Sequence, residues 1–184
     1  MLIYDFESSD LDRWIVCVHG FKGNKNSVKQ IVRGLDGFNK LYVQAPIEVS
    51  HGEYTWFDKN GDLATGVVED LKVLLDKFKV NPSQCWWLGF SQGGAVIFRV
   101  AQALNIQNIC ALCSFTSEDL AEDYGGLSLF WYSSLDDQIV PFSKSFGSFQ
   151  QVVSKFSQSM FVTGSSGHKI SSRGLKALAF WVKA

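Results

Sequence analysis

Ser91 stands in Gly89-Phe90-Ser91-Gln92-Gly93, a G-x-S-x-G pattern placed where the apolar run 85–90 gives way to helical spacing. Glycine inside an element costs stability, so Gly89, Gly93 and Gly94 packed around one serine imply a turn too tight for side chains. A strand-turn-helix of this kind strains the serine backbone and presents its hydroxyl outward, the arrangement of a nucleophile elbow. A serine hydroxyl is a weak nucleophile near neutral pH and needs a base to take its proton and an acid to orient that base.

Position separates the three histidines. His19 and His51 precede the serine, whereas His168, in "GSSGHKI", follows the last predicted strand, where the base of such a site belongs. The acid should lie between serine and histidine. Asp136 and Asp137, in "SSLDDQIVPF", both sit at a predicted strand end, and Asp119 and Asp123 in "TSEDLAEDYGG" are alternatives from the preceding connection. Acyl transfer also needs donors aimed at the developing oxyanion. The backbone N–H groups of Phe21, in "VHGFKGN" after the first predicted strand, and of Gln92, directly after the serine, are the expected pair.

The elements that must hold these residues follow from periodicity. Short apolar runs at 14–18, 41–45, 85–90, 108–115, 127–134 and 159–164 read as six strands buried on both faces. Between them, Leu63, Val67, Leu71, Leu74 and Phe78 form one helical stripe and Val96, Val100 and Leu104 another, while Leu175, Leu178 and Val182 give the last segment a core face. Strand and helix alternating along the chain predict an α/β fold: a six-stranded, mainly parallel sheet with helices on both faces, in a single domain over residues 1–184. Ligands in such sheets bind beyond the carboxyl ends of the strands, where Ser91, the aspartates and His168 all fall.

Composition narrows the partners. A formal net charge of -1, from 17 basic and 18 acidic residues without long runs of either sign, argues against a nucleic-acid or anionic-membrane surface. No apolar run approaches the roughly 20 residues that span a bilayer, and "MLIYDFESSD" lacks the basic start of a signal peptide, so a soluble, cytoplasmic protein is expected. Cys17, Cys85, Cys110 and Cys113 lie in apolar runs and read as reduced, buried hydrophobes. Cys110 and Cys113 match C-x-x-C, but three residues apart in a strand they should face opposite ways. No metal or nucleotide motif is visible, so cofactor-free chemistry is expected, with oligomeric state left open.

Taken together, "HGFKGN", "WFD" (56–58), "GFSQGG", "DQIVP" and "GHKI" resemble, in order, the α/β-hydrolase carboxylesterases of the phospholipase/carboxylesterase group, which includes acyl-protein thioesterases. The resemblance runs from about Trp14 to the C-terminus. It implies Ser91 as nucleophile, Asp137 as acid, His168 as base, and Phe21 and Gln92 as oxyanion donors. It implies action on a small-molecule or otherwise acylated substrate. Lys22 stands where the group usually has a second glycine, and Ser134 and Leu135 where it has Gly-Asp. The connection between 115 and 127 is short, so the cap should be minimal and the site open. Trp56, Phe57, Phe21 and Phe142 are the aromatics expected near the substrate, which favours a short or accessible acyl ester. The same triad would equally suit an acyltransferase or amidase, and the fold would also suit a non-catalytic binding protein.

Overall fold

The computed structural model describes residues 1–116 and 118–184. The central sheet has seven strands: β1 (Tyr4–Glu7), β2 (Trp14–Val18), β3 (Asn39–Val43), β6 (Trp86–Phe90), β7 (Asn108–Leu112), β8 (Gly126–Ser134) and β9 (Phe156–Gly164). They lie in the order β1-β3-β2-β6-β7-β8-β9, parallel throughout except for β1, which pairs antiparallel with β3. All six sequence-predicted strands are present, and β1 corrects the expected count. Asp5 and Glu7 break the apolar pattern there, because an edge strand buries little. Phe6 stacks on Trp14 at 5.5 Å, while Asp5 turns to Lys25 and Lys29.

Alternation along each parallel strand sends side chains to two separate apolar layers. Val16, Trp87, Ile109 and Trp131 enter one, beneath helices α2 (Val67–Phe78), α3 (Gln92–Val100) and α4 (Phe142–Val152). Cys17, Leu88, Cys110 and Phe130 enter the other, beneath α1 (Lys29–Val32) and α5 (Ser172–Lys183). Each fully buried Val, Leu or Phe contributes about 1.5–3 kcal/mol, so the two layers together hold the strand ends in place. Trp131 buries its ring among them and satisfies its N–H on Ser145 Oγ at 2.9 Å.

Two helical readings shift at their ends. Leu63 falls before α2, which begins after Gly66 in a left-handed conformation, and Leu104 falls in the turn after α3. Cys113 lies just past β7 at φ 47°, so strand alternation no longer applies to it, and it shares its layer with Cys110 instead of facing away. All four cysteines are free and buried.

Beside the short connection from β7 to β8, a second element borders the site. A small antiparallel hairpin, β4 (Ile47–Ser50) and β5 (Glu53–Thr55), is inserted between β3 and α2 and tied down where Lys22 N–H donates to the Tyr54 carbonyl at 2.9 Å. Polar residues dominate it and only Thr55 is buried, so periodicity did not mark it as strand.

Candidate active site

Ser91 sits between β6 and α3 with φ 52° and ψ -120°, a conformation that a side chain rarely adopts. Strain of this kind is of order 1–3 kcal/mol and persists only where the surroundings enforce it. Here the Ser91 N–H donates to the Leu112 carbonyl at 2.8 Å, while its own carbonyl accepts from Ser114 Oγ at 2.7 Å and from the Gly94 N–H at 3.0 Å. The flanking glycines have the crowding their spacing implied. A Cβ on Gly93 would collide with the Val18 carbonyl oxygen, and one on Gly89 would meet the Gly93 carbonyl carbon at 2.5 Å.

His168 follows β9. Its Nδ1 is 2.8 Å from Asp137 Oδ2, on a carboxylate only 4% exposed. An ionised carboxylate accepts only, so Nδ1 carries the proton and Nε2 is left as the basic nitrogen. The other oxygen of Asp137 accepts the Ile139 and Val140 N–H groups at 2.8 and 2.9 Å, which fixes the carboxylate in its turn. The His168 ring packs 5.0 Å from that of Phe90, the residue before the serine. β6 and β9 thus bring Ser91 and His168 to the same sheet edge.

The two adjacent aspartates have different partners. Asp136 faces solvent and its Oδ1 accepts from Ser134 Oγ at 2.7 Å, Ser166 N–H at 2.8 Å and Gly167 N–H at 2.9 Å. The Ser134 hydroxyl first, and then the Gly167 and Ser166 N–H groups, hold its carboxyl below the usual range. Asp136 therefore secures the turn that carries His168, and Asp137 meets the imidazole. Asp119 is exposed and takes the Gln151 side-chain amide at 2.6 Å, away from this pairing. Asp123 is also exposed, in the loop before β8.

Among the described residues, neither the Phe21 nor the Gln92 N–H has a hydrogen-bond acceptor. Gln92 opens α3, so its N–H is one of those a helix leaves free. Lys22, at φ 59°, keeps the loop after β2 tight without the glycine usual there. The Gln92 side chain turns aside to accept from Trp56 N–H and Thr55 Oγ1, each at 3.2 Å.

Sequence reasoning missed His19 except to exclude it as base. It is wholly buried. Its Nε2 accepts the Ala45 N–H at 3.0 Å, which leaves Nδ1 to donate to the Gly20 carbonyl at 2.7 Å, one residue before Phe21. Burial lowers its pKa, and the Gly20 hydrogen bond opposes this only in part. Its position directly before the loop's Gly-Phe was the available signal.

Trp56 corrects a sequence expectation. At 0% exposure it cannot meet a substrate, and its indole N–H instead donates to the His19 carbonyl at 2.9 Å. Phe142 is likewise displaced, packing on Phe146 and Phe161 outside the site. Phe21 and Phe57 do border open space. A cavity of about 700 Å³ is lined by Phe21, Phe57, Gln92, Ala95 and Phe115, and a second of about 580 Å³ by Gly20, Phe21, Phe90, His168 and Ile170. Phe21, 55% exposed, borders both.

Cys113, Asp137 and His168 also bring ligand-type atoms within 4.8 Å of one another. The imidazole nitrogen nearest the carboxylate is engaged by it, and burial pushes the Cys113 thiol up to about 12. A thiol held protonated is a poor metal ligand, since ligation needs the thiolate.

No protein-family model matches the sequence. Over 107 residues it is 29% identical to 2-succinyl-6-hydroxy-2,4-cyclohexadiene-1-carboxylate synthase of Citrobacter koseri, and to the Escherichia coli protein of that name. That match takes in 57% of this chain but spans only 37% of the length of those relatives. Structural likeness is more extensive. YahD, solved with malic acid, superimposes with a TM-score of 0.84 at 18% identity, over 100% of this chain and 98% of that one. The Bacillus cereus carboxylesterase does so at 0.84 and 13%, over 100% and 94%. Arabidopsis thaliana SOBER1 follows at 0.70 and 16%, over 93% and 97%. The parallel sheet, the strained serine after its central strand and these superpositions agree that the chain has the α/β-hydrolase fold seen in carboxylesterases.

Proposed function

We propose that this protein is a cofactor-free serine hydrolase of the carboxylesterase or thioesterase type, a single domain that cleaves short or accessible acyl esters. The observation that carries the reading is the Asp137–His168 hydrogen bond of 2.8 Å at the sheet edge where Ser91 is held in its strained turn. In this reading Ser91 Oγ attacks the acyl carbonyl as His168 Nε2 takes its proton, and Asp137 stabilises the imidazolium. The Phe21 and Gln92 N–H groups receive the oxyanion. His168 then protonates the leaving group as its bond to the acyl carbon breaks. Water, activated by the same nitrogen, releases the acid from Ser91.

The esterase neighbours support the reaction class, and the two cavities, lined by the serine's chain neighbours Gln92 and Phe90 respectively, leave room for an acyl chain and a leaving group. A cytoplasmic setting with small acylated substrates and no nucleic-acid partner completes the proposal, consistent with near-neutral charge and four free cysteines. Among the described residues no helix is long and apolar enough to cross a membrane.

The test is hydrolysis of p-nitrophenyl esters from acetate to palmitate, by the wild type and by Ser91→Ala, with fluorophosphonate labelling of Ser91 alongside. Turnover of the short esters that vanishes in the variant supports the proposal. A wild type that neither turns over any ester in a Ser91-dependent way nor labels at Ser91 sinks it.

A further inference from the structure

We propose that the cavity beside His168 receives the leaving group and that this group carries an anionic tail; the inference rests on the serine-hydrolase reading above. The proton taken from Ser91 Oγ returns through His168 to the sulfur or oxygen that departs, so the departing group must lie on the His168 side. His168 lines the 580 Å³ cavity, whereas Gln92, with its oxyanion N–H, lines the 700 Å³ cavity. The acyl portion is thereby assigned to the Gln92 side, against Ile47, Val49, Phe57 and Phe115.

The two cavities differ in charge. The acyl side carries Asp58, Lys59, Arg99 and Glu118, two of each sign, with Arg99 and Glu118 already paired at 2.8 Å. The His168 side carries Lys22 and Lys169 and no carboxylate in its lining. Lys169 forms no ion pair among the described residues. The carboxylate paired with Lys22, that of Glu53, stands 3.9 Å away with both side chains well exposed, a separation that neutralises little. Two ammonium side chains in a cleft also lined by Phe90, Ile31, Ile170 and Leu175 attract an anion, whereas a neutral tail meets only the uncharged Ser27 and Gln30 as further polar side chains beside His168. A phosphate and a carboxylate share the required chemistry.

Matched substrates test this. S-propionyl pantetheine is compared with its 4′-phosphate, and S-propionyl 3-mercaptopropionamide with the corresponding carboxylate, with p-nitrophenyl acetate as the control for the underlying activity. Wild type should prefer the charged member of at least one pair by about 5- to 20-fold in kcat/KM, and the pair with the larger ratio identifies the anion. That ratio should fall toward one in Lys22→Asn/Lys169→Gln and as salt is raised; asparagine tolerates the positive φ at position 22. Equal rates within both pairs, a ratio insensitive to the double substitution, or thioesters left intact while p-nitrophenyl acetate is cleaved would overturn the inference. Failure on p-nitrophenyl acetate as well would instead remove the hydrolase reading beneath it.

Discussion

Two histidines stand at the carboxyl edge of the sheet, His19 beyond β2 and His168 beyond β9, and their rings are engaged differently. His19 has both nitrogens occupied by backbone, Ala45 N–H on one and Gly20 carbonyl on the other, inside a fully buried site. His168 has one nitrogen bound to Asp137 and, among the described residues, no hydrogen bond to the other, on a side chain 22% exposed. The same side chain is thus a structural strut in one turn and, in the proposed function, a proton carrier in the other. The difference lies in what each ring nitrogen meets, which residue type alone does not reveal.

Replacing each histidine should therefore fail in a different way. His168→Ala should lower ester turnover by on the order of 10⁴-fold or more with little change in melting temperature, as removal of a triad base does. His19→Ala should instead destabilise the fold by roughly 2–4 kcal/mol, from a lost buried ring and two unpaired backbone groups. Denaturant titration beside steady-state kinetics separates them, and equal stability losses would erase the contrast.

The paired aspartates sharpen it. Asp137→Asn should cost on the order of 10³–10⁴-fold in kcat, because an amide cannot hold the same tautomer. Asp136→Asn should cost roughly 10-fold or less while loosening residues 165–168, read by faster amide exchange there. A larger kinetic loss for Asp136→Asn would exchange the two roles.

Acid should single out His19. Its folded pKa lies below the ordinary value of about 6.5, so between the two the unfolded chain binds the extra proton. The stability it contributes is fully present above that pH and is lost as pH falls through the folded pKa. Melting temperatures from pH 7.5 to 5 should drop more steeply for wild type than for His19→Gln; parallel curves would count against this account. The smallest effect expected is from Trp56→Phe, about 1 kcal/mol for the bond to the His19 carbonyl, with kcat largely retained.

Much of this was legible beforehand. Buried parallel strands read as continuous apolar runs, so six were visible from the pattern of apolar residues, and the spacing of Gly89, Ser91 and Gly93 specified a tight turn because a side chain at either glycine would collide with the backbone that packs against it. The edge strand β1 and the hairpin β4–β5 were not, because half-exposed strands carry polar residues that look like loop.

The sequence by itself determined the alternating α/β pattern, the strained serine and the order of serine, aspartates and histidine, since these depend on local sterics and hydrophobic period. Only the tertiary structure decided which of Asp136 and Asp137 meets the imidazole, that Trp56 braces a loop instead of lining a cavity, and that charge divides unevenly between the two cavities. Those outcomes turn on a few ångströms between turns that lie far apart along the chain, a distance that no local pattern encodes.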